Sequence, residues 1–257
     1  MLLVIDVGNT NTVMGIYRDE TLVKDWRIRT ERKTTEDEFN VIVTSLFATG
    51  GIDAGAIRRT IISCVVPPMV TILDSFCRKY LGHAPRWVDA RSYDGMPILI
   101  NNPAELGADR IVNAVAASRK YGKSLIIIDF GTATTFDVVD VDGAYVGGVI
   151  APGVNLSLEA LHMAAAALPH VDVTKPQRVV GTNTVACMQS GVFWGYVGLV
   201  RGISDRILAE RDRPMKIVGT GGLAPLFGQG DVLFDVIEDD LTMHGLTVIH
   251  RYNKERG

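Results

Sequence analysis

Much of what usually declares a function is missing from these 257 residues. The three cysteines, Cys64, Cys77 and Cys187, are scattered without metal-ligand spacing, which excludes a disulfide framework or zinc motif and fits a reducing compartment. The five histidines show no metal spacing either. Twenty-six Lys and Arg stand against 29 Asp and Glu, so the net charge is −3 and no basic tract offers a nucleic-acid footprint. Arg27, Arg29, Arg32 and Lys33 alternate with Thr and Glu and read as a solvated strand end. No apolar run approaches the roughly 20 residues of a membrane span, so no membrane partner is expected. The first apolar stretch meets Asp6 too early for a signal peptide, so the expected location is the cytoplasm. No G-x-x-x-x-G-K-[ST] occurs, and the chain is therefore not a P-loop protein.

What is present begins with "LLVIDVGNTNTVMGIY", residues 2–17. An apolar run ends in Asp6, passes through small donors and resumes. Two readings stand here. Asp, Gly and Asn are ordinary hairpin residues. The same residues also let backbone N–H groups approach a phosphate, with a hydrated Mg²⁺ reconciling the carboxylate with the anion.

Residues 2–6, 11–18 and 21–29 form an expected antiparallel meander. Thr35 with Glu38 reads as a capping box opening a helix to about Ala48, and Pro67-Pro68 opens a second helix toward Tyr80. "RTIISCVV" and "RWVDA" read as strands. Asn102-Pro103-Ala104-Glu105 reads as the start of a helix running to about Lys120. The opening design then returns in "SLIIIDFGTATTFDVVDVDGAYVGGVIAPG": apolar run, Asp129, Gly-Thr turn, second strand, Asp142-Gly143 hairpin, third strand. Two such meanders half a chain apart imply an internal duplication and two similar lobes, and they weaken the hairpin-only reading. A third element, "KIVGTGGLAPLF", is a strand entering Gly219-Thr220-Gly221-Gly222.

The trio Asp6–Thr12, Asp129–Thr135 and Gly219–Gly222 resembles the nucleotide site of the actin/Hsp70/sugar-kinase superfamily. Within it, "DVGNTNT", "NPAELGADRIVNA", "IDFGTATTFD", "GGVIAPG", "GTNTVACMQSG" and "GTGG" are similar to type III pantothenate kinases over nearly the whole chain. The resemblance implies an α/β fold of two ribonuclease-H-like lobes, 1–118 and 119–257, each a mixed sheet with an N-terminal antiparallel meander and flanking helices. It implies ATP-dependent phosphorylation of the primary hydroxyl of pantothenate, the first step of coenzyme A synthesis, in a homodimer. Asp6, Val7, Gly8, Asn9, Thr10, Asn11, Thr12 and Val13 would bind ATP, with Thr132 and Gly221. Gly107, Ala108, Asp109, Arg110 and Thr184 would bind pantothenate, with Asp109 the catalytic base. Asp129 would hold a monovalent cation, K⁺ or ammonium. Ile100 stands where the family often has a substrate-touching tyrosine.

Each assignment has a plainer rival. Asp109 and Arg110 also read as a surface salt-bridging pair on a helix. Alternatively, the guanidinium suits the carboxylate of pantothenate and the aspartate accepts the proton of the attacking hydroxyl. Asp6 and Asp129 also read as turn caps. Neither loop has a lysine, which makes cations plausible partners for ATP, Mg²⁺ at Asp6 and K⁺ at Asp129. Residues 183–210 read as one helix with Gly191, Gly195, Gly198 and Gly202 on one stripe, each costing about 1 kcal/mol relative to alanine. That stripe serves close packing, within a lobe or between protomers, and is the candidate dimer interface. Two rival functions share the phosphate loops: another small-molecule kinase of the superfamily, and a regulatory protein that binds ATP without turnover.

Overall fold

The computed structural model describes residues 1–165, 168–228 and 233–256. The chain forms two compact units, residues 1–119 together with the stretch from Leu241 onward, and residues 120–240.

The first unit opens with β1 (Leu2–Val7), buried at nearly every position because strands flank it on both sides. β2 (Asn11–Arg18) and β3 (Thr21–Arg29) complete an antiparallel meander. α1 (Glu36–Thr49) starts at the expected capping box: Glu38 N–H donates to Thr35 Oγ1 at 3.3 Å and Thr35 N–H donates to Glu38 Oε2 at 2.8 Å. Such a cap contributes about 1 kcal/mol. β4 (Arg59–Cys64) returns parallel to β1, α2 (Pro67–Phe76) follows with proline in its first turn, and β5 (Arg86–Trp87) pairs with β4. α3 (Ala108–Tyr121) follows a long loop. The sheet order is β3-β2-β1-β4-β5. Leu3, Ile5, Val7, Met14, Ile16 and Ile62 pack with Phe39, Val43, Met69 and Leu73 of α1 and α2 into one core.

The second unit repeats the plan with β6 (Leu125–Phe130), β7 (Ala133–Val139), β8 (Tyr145–Pro152), α4 (Val154–Ala164), α5 (Thr184–Arg211), β9 (Lys216–Thr220), α6 (Ala224–Phe227) and β10 (Val236–Glu238). Its order, β8-β7-β6-β9-β10, and its strand directions match the first sheet strand for strand. β1 and β6 even share one burial pattern, with Asp6 and Asp129 at its single half-buried place. The duplication inferred from the two meanders is therefore a topological one.

Three expectations need correction. The helix anticipated from Pro103 is a single 3₁₀ turn, Pro103–Glu105, and α3 begins only at Ala108. Asn102 spends its amide on Glu105 Oε1 (2.7 Å) rather than on a backbone cap, and Leu106 is extended. "RWVDA" shrinks to two strand residues because Asp89 starts a turn, accepting from Arg91 N–H at 2.8 Å. Finally, the stretch 119–257 was expected to form one lobe, but α7 (Leu241–Arg256) belongs with the first unit. It packs on β1 and β4. Thr242 Oγ1 donates to Asn113 Oδ1 at 2.7 Å, and a Cβ on Gly245 would stand 2.3 Å from the Val112 carbonyl oxygen. Only glycine lets α7 approach α3 so closely.

Candidate active site

In the first unit, side chains alternate across the sheet, so Leu3, Ile5 and Val7 enter the core and Asp6 faces the other way. The register places Ser63 and Val13 opposite Asp6, and Arg27 opposite Val13, so these residues form one transverse row. Asp6 Oδ1 is shut off from solvent and makes no hydrogen bond. Burial, reinforced by the charge of Asp109, raises the Asp6 pKa from 3.8 to about 7, while the Ser63 hydroxyl and Arg27 pull it down. Such a carboxylate is a place short of one positive charge, which fits a divalent cation.

Asp109 sits in the first turn of α3 rather than within a longer helix. The Arg110 N–H donates to its Oδ1 at 2.8 Å, and the start of the helix favours its negative charge. Burial nevertheless raises its pKa above the usual carboxylate range, against the pull of that N–H and of the Arg110 charge. Gly107 leaves space for this carboxylate: a Cβ there would stand 2.6 Å from Asp109 Oδ1. Gly107, Ala108, Asp109 and Arg110 thus form one unit in which the glycine makes room for the carboxylate. The electrostatic coupling of Asp6 and Asp109 brings two sequence-predicted groups, about a hundred residues apart, into one site.

The loop 8–12 joins β1 to β2. Gly8 N–H donates to Asn11 O at 3.0 Å, closing the turn. Asn9 and Thr10 are exposed at its tip, while Thr12 is buried. Ile100 is half-buried in the loop that precedes Pro103.

In the second unit, Asp129 stands opposite Thr135 and Thr220, as Asp6 stands opposite Val13 and Ser63. Gly221 follows at φ +88°, and a Cβ there would stand 2.4 Å from Asp129 Oδ1. Only glycine tolerates both the angle and the contact. Thr132 is exposed at the turn after Gly131, and Gly153 packs against it so closely that a Cβ would stand 2.1 Å from the Thr132 carbonyl oxygen. Asp129 and Gly221 thus share one corner beside the Phe130 backbone, and Thr132 lies on the turn that follows β6. Thr184 opens α5 with its side chain exposed, behind the cap Asn183, whose Oδ1 accepts from Ala186 N–H at 2.9 Å.

Sequence reasoning missed Ser63 and set Arg27 aside as a solvated strand end. The duplication could have found Ser63, because it holds the place in β4 that Thr220 of the Gly-Thr-Gly-Gly segment holds in β9. Arg27 emerges only from the β2–β3 register.

The profile of type III pantothenate kinases matches residues 2–206. The chain belongs to that family. A type III pantothenate kinase from Ruegeria pomeroyi is 57% identical over 259 residues, covering 100% of this chain and 99% of the relative. One from Roseobacter denitrificans is 56% identical over 262 residues, covering 99% of each. Among solved structures, a candidate 2-dehydro-3-deoxygalactonokinase from Sinorhizobium meliloti superposes with a TM-score of 0.61 at 13% identity, covering 98% of this chain and 96% of that one. It shares the two-sheet architecture. The family match spans Asp6, Gly107–Arg110, Asp129 and Thr184, and ends before Gly221. No group of three or more His, Cys, Asp or Glu side chains able to hold a metal occurs among the described residues. Mg²⁺ held mainly by water and phosphate does not need one. No helix among the described residues is long and apolar enough to cross a membrane.

Proposed function

We propose that this chain transfers the γ-phosphate of ATP to the primary hydroxyl of pantothenate, giving 4′-phosphopantothenate for coenzyme A synthesis. The observation that carries this reading is the family match at full length to relatives named for that activity. The named residues then take the following roles. Residues 6–13 and Thr132 engage the phosphates, chiefly through backbone N–H groups of the two turns. Gly221 keeps the corner beside Asp129 open for the nucleotide. Arg110 receives the carboxylate of pantothenate, for which a planar guanidinium is suited. Gly107, Ala108 and Thr184 complete the substrate's surroundings, and Ile100 supplies an apolar contact.

Asp109 accepts the hydroxyl proton as the oxygen bonds to the γ-phosphorus and the bond to ADP breaks. Its raised pKa makes it a stronger base than an exposed aspartate. Asp6 would hold Mg²⁺, and its orphaned oxygen and raised pKa support that role. When bound, the ion offsets the charge of the phosphates. Asp129 holds a monovalent cation, K⁺ or ammonium. The protein acts in the cytoplasm as a homodimer. In support, nothing among the described residues lies within 4 Å of a Cβ built at Gly191, Gly195 or Gly198, so this part of α5 suits a second copy.

A panel of hydroxyl acceptors incubated with ATP, Mg²⁺ and K⁺ tests the function. Pantothenate should be phosphorylated well ahead of sugars and glycerol. Turnover of another acceptor alone would make the chain a different kinase, and ATP binding without any acceptor would make it a regulatory protein.

A further inference from the structure

Thr30 stands just past the end of β3, outside every segment so far assigned to the site, and it is only 8% exposed. It bonds to three residues of the 8–12 loop. Its N–H donates to Thr10 O at 3.0 Å, and its hydroxyl donates to Gly8 O at 2.7 Å. Its Oγ1 also lies 2.9 Å from Thr12 Oγ1. A threonine hydroxyl has one proton. Since that of Thr30 goes to Gly8, the Thr12 hydroxyl must donate to Thr30. The order Thr12 to Thr30 to Gly8 is therefore fixed, and the buried Thr12 hydroxyl has no proton left for a phosphate.

The orientation of the loop follows. A trans peptide points its C=O and the next N–H in opposite directions. With the Gly8 carbonyl held toward Thr30, the N–H of Asn9 points away from it. That carbonyl would repel an anion, while the N–H attracts one. Arg32, two residues further on, donates Nη2 to Asn9 Oδ1 at 3.0 Å and holds the tip of the same loop.

We propose that Thr30 is a positioning residue for the nucleotide: through its hydroxyl it locks the Gly8–Asn9 peptide in the orientation that presents its N–H to the phosphates. This rests on the assignment of the 8–12 loop to ATP. It extends that assignment to a residue that touches neither substrate.

The test uses the full chain, with Thr30→Val, which keeps shape and N–H but removes the hydroxyl, and Thr30→Ser, which restores it. Binding of a non-hydrolysable ATP analogue is titrated calorimetrically in Mg²⁺, and KM is measured for both substrates. Thr30→Val should weaken analogue binding and raise the KM for ATP by roughly tenfold, as expected when buried carbonyl and hydroxyl groups lose their partner. The KM for pantothenate should stay within about twofold, and Thr30→Ser should bind the analogue nearly as the parent does. Analogue binding by Thr30→Val within twofold of the parent, or an equal loss for both substrates, would overturn the proposal. So would failure of Thr30→Ser to restore binding. If Thr30→Val does not fold, Thr30→Ala removes the same hydroxyl with less bulk and should weaken analogue binding severalfold; no change there also overturns it. A parent that binds the analogue but does not phosphorylate pantothenate refutes the acceptor assignment alone, and Thr30 is still judged on binding. A parent that binds no nucleotide refutes both.

Discussion

Replacing Asp6 with asparagine should stabilise the ligand-free protein while abolishing its activity. Folding raises the Asp6 pKa from 3.8 to about 7, mainly through burial. The folded chain therefore keeps a proton that the unfolded chain releases above pH 4. Between those two values the unfolded state binds fewer protons, so stability falls as pH rises, and the loss is complete once pH exceeds the folded value. A shift of about three units corresponds to roughly 4 kcal/mol over the whole range, of which about 2.5 kcal/mol falls between pH 5 and pH 8. Asparagine matches the size of aspartate and carries no charge to desolvate. Urea denaturation at pH 5 and pH 8, with a chelator and without nucleotide, measures the effect. His250 is held to about 4 by burial and by Arg59, Arg86 and Lys254, and so tilts stability the opposite way, but it titrates identically in both proteins. Comparing the two proteins at each pH therefore cancels His250 and leaves Asp6 together with its coupling to Asp109. The parent should lose about 2 to 3 kcal/mol more than the Asp6→Asn protein on going from pH 5 to pH 8. Adding Mg²⁺ with an ATP analogue should stabilise only the parent at pH 8. Parallel pH dependences in the two proteins would show that the Asp6 carboxylate is not desolvated, and would remove the electrostatic argument for a cation there.

Asp109→Asn should lower kcat by roughly 10²- to 10⁴-fold with analogue affinity unchanged, and steady-state kinetics within threefold of the parent would exclude a general base at this position. Replacing K⁺ with Na⁺ or Li⁺ should depress the parent's rate, while Asp129→Ala should be nearly inactive in every salt; equal parental rates in all three salts would refute the cation role. Gly221→Ala forces a Cβ to 2.4 Å from Asp129 Oδ1 at φ +88°, and should cost about 1–3 kcal/mol in thermal denaturation and most of the activity. If the chain dimerises through α5 as proposed, Gly195→Leu should convert dimer to monomer in sedimentation velocity with helicity retained, because a side chain then fills the open face at Gly191, Gly195 and Gly198; an intact dimer would place the interface elsewhere.

The elements and their starts were legible wherever neighbouring residues decide them. The continuous apolar runs of β1 and β6, the capping box of α1, the Asp142-Gly143 hairpin at φ +86° and the 28-residue α5 all rest on local patterns. The two aspartate-bearing turns were legible for the same reason, since a strand ending in an aspartate before a small-residue turn is a contiguous signal. What lay between neighbours in space was not. Ser63, Arg27 and Thr30 reach the site through strand register, and a one-residue slip would turn them to the other face. α3 begins at Ala108 because the extended backbone at Leu106 ends the 3₁₀ turn and the first helical bond runs from Ile111 N–H to Gly107 O, which no propensity encodes. The last helix follows the second sheet in sequence and belongs with the first, because Gly245 and Thr242 fit it to Val112 and Asn113 of α3. The carboxylates at 6 and 109 were visible as residues, but their raised pKa values were not. Those come from burial, reinforced at Asp6 by the charge of Asp109, about a hundred residues away in the chain, which only the folded packing determines.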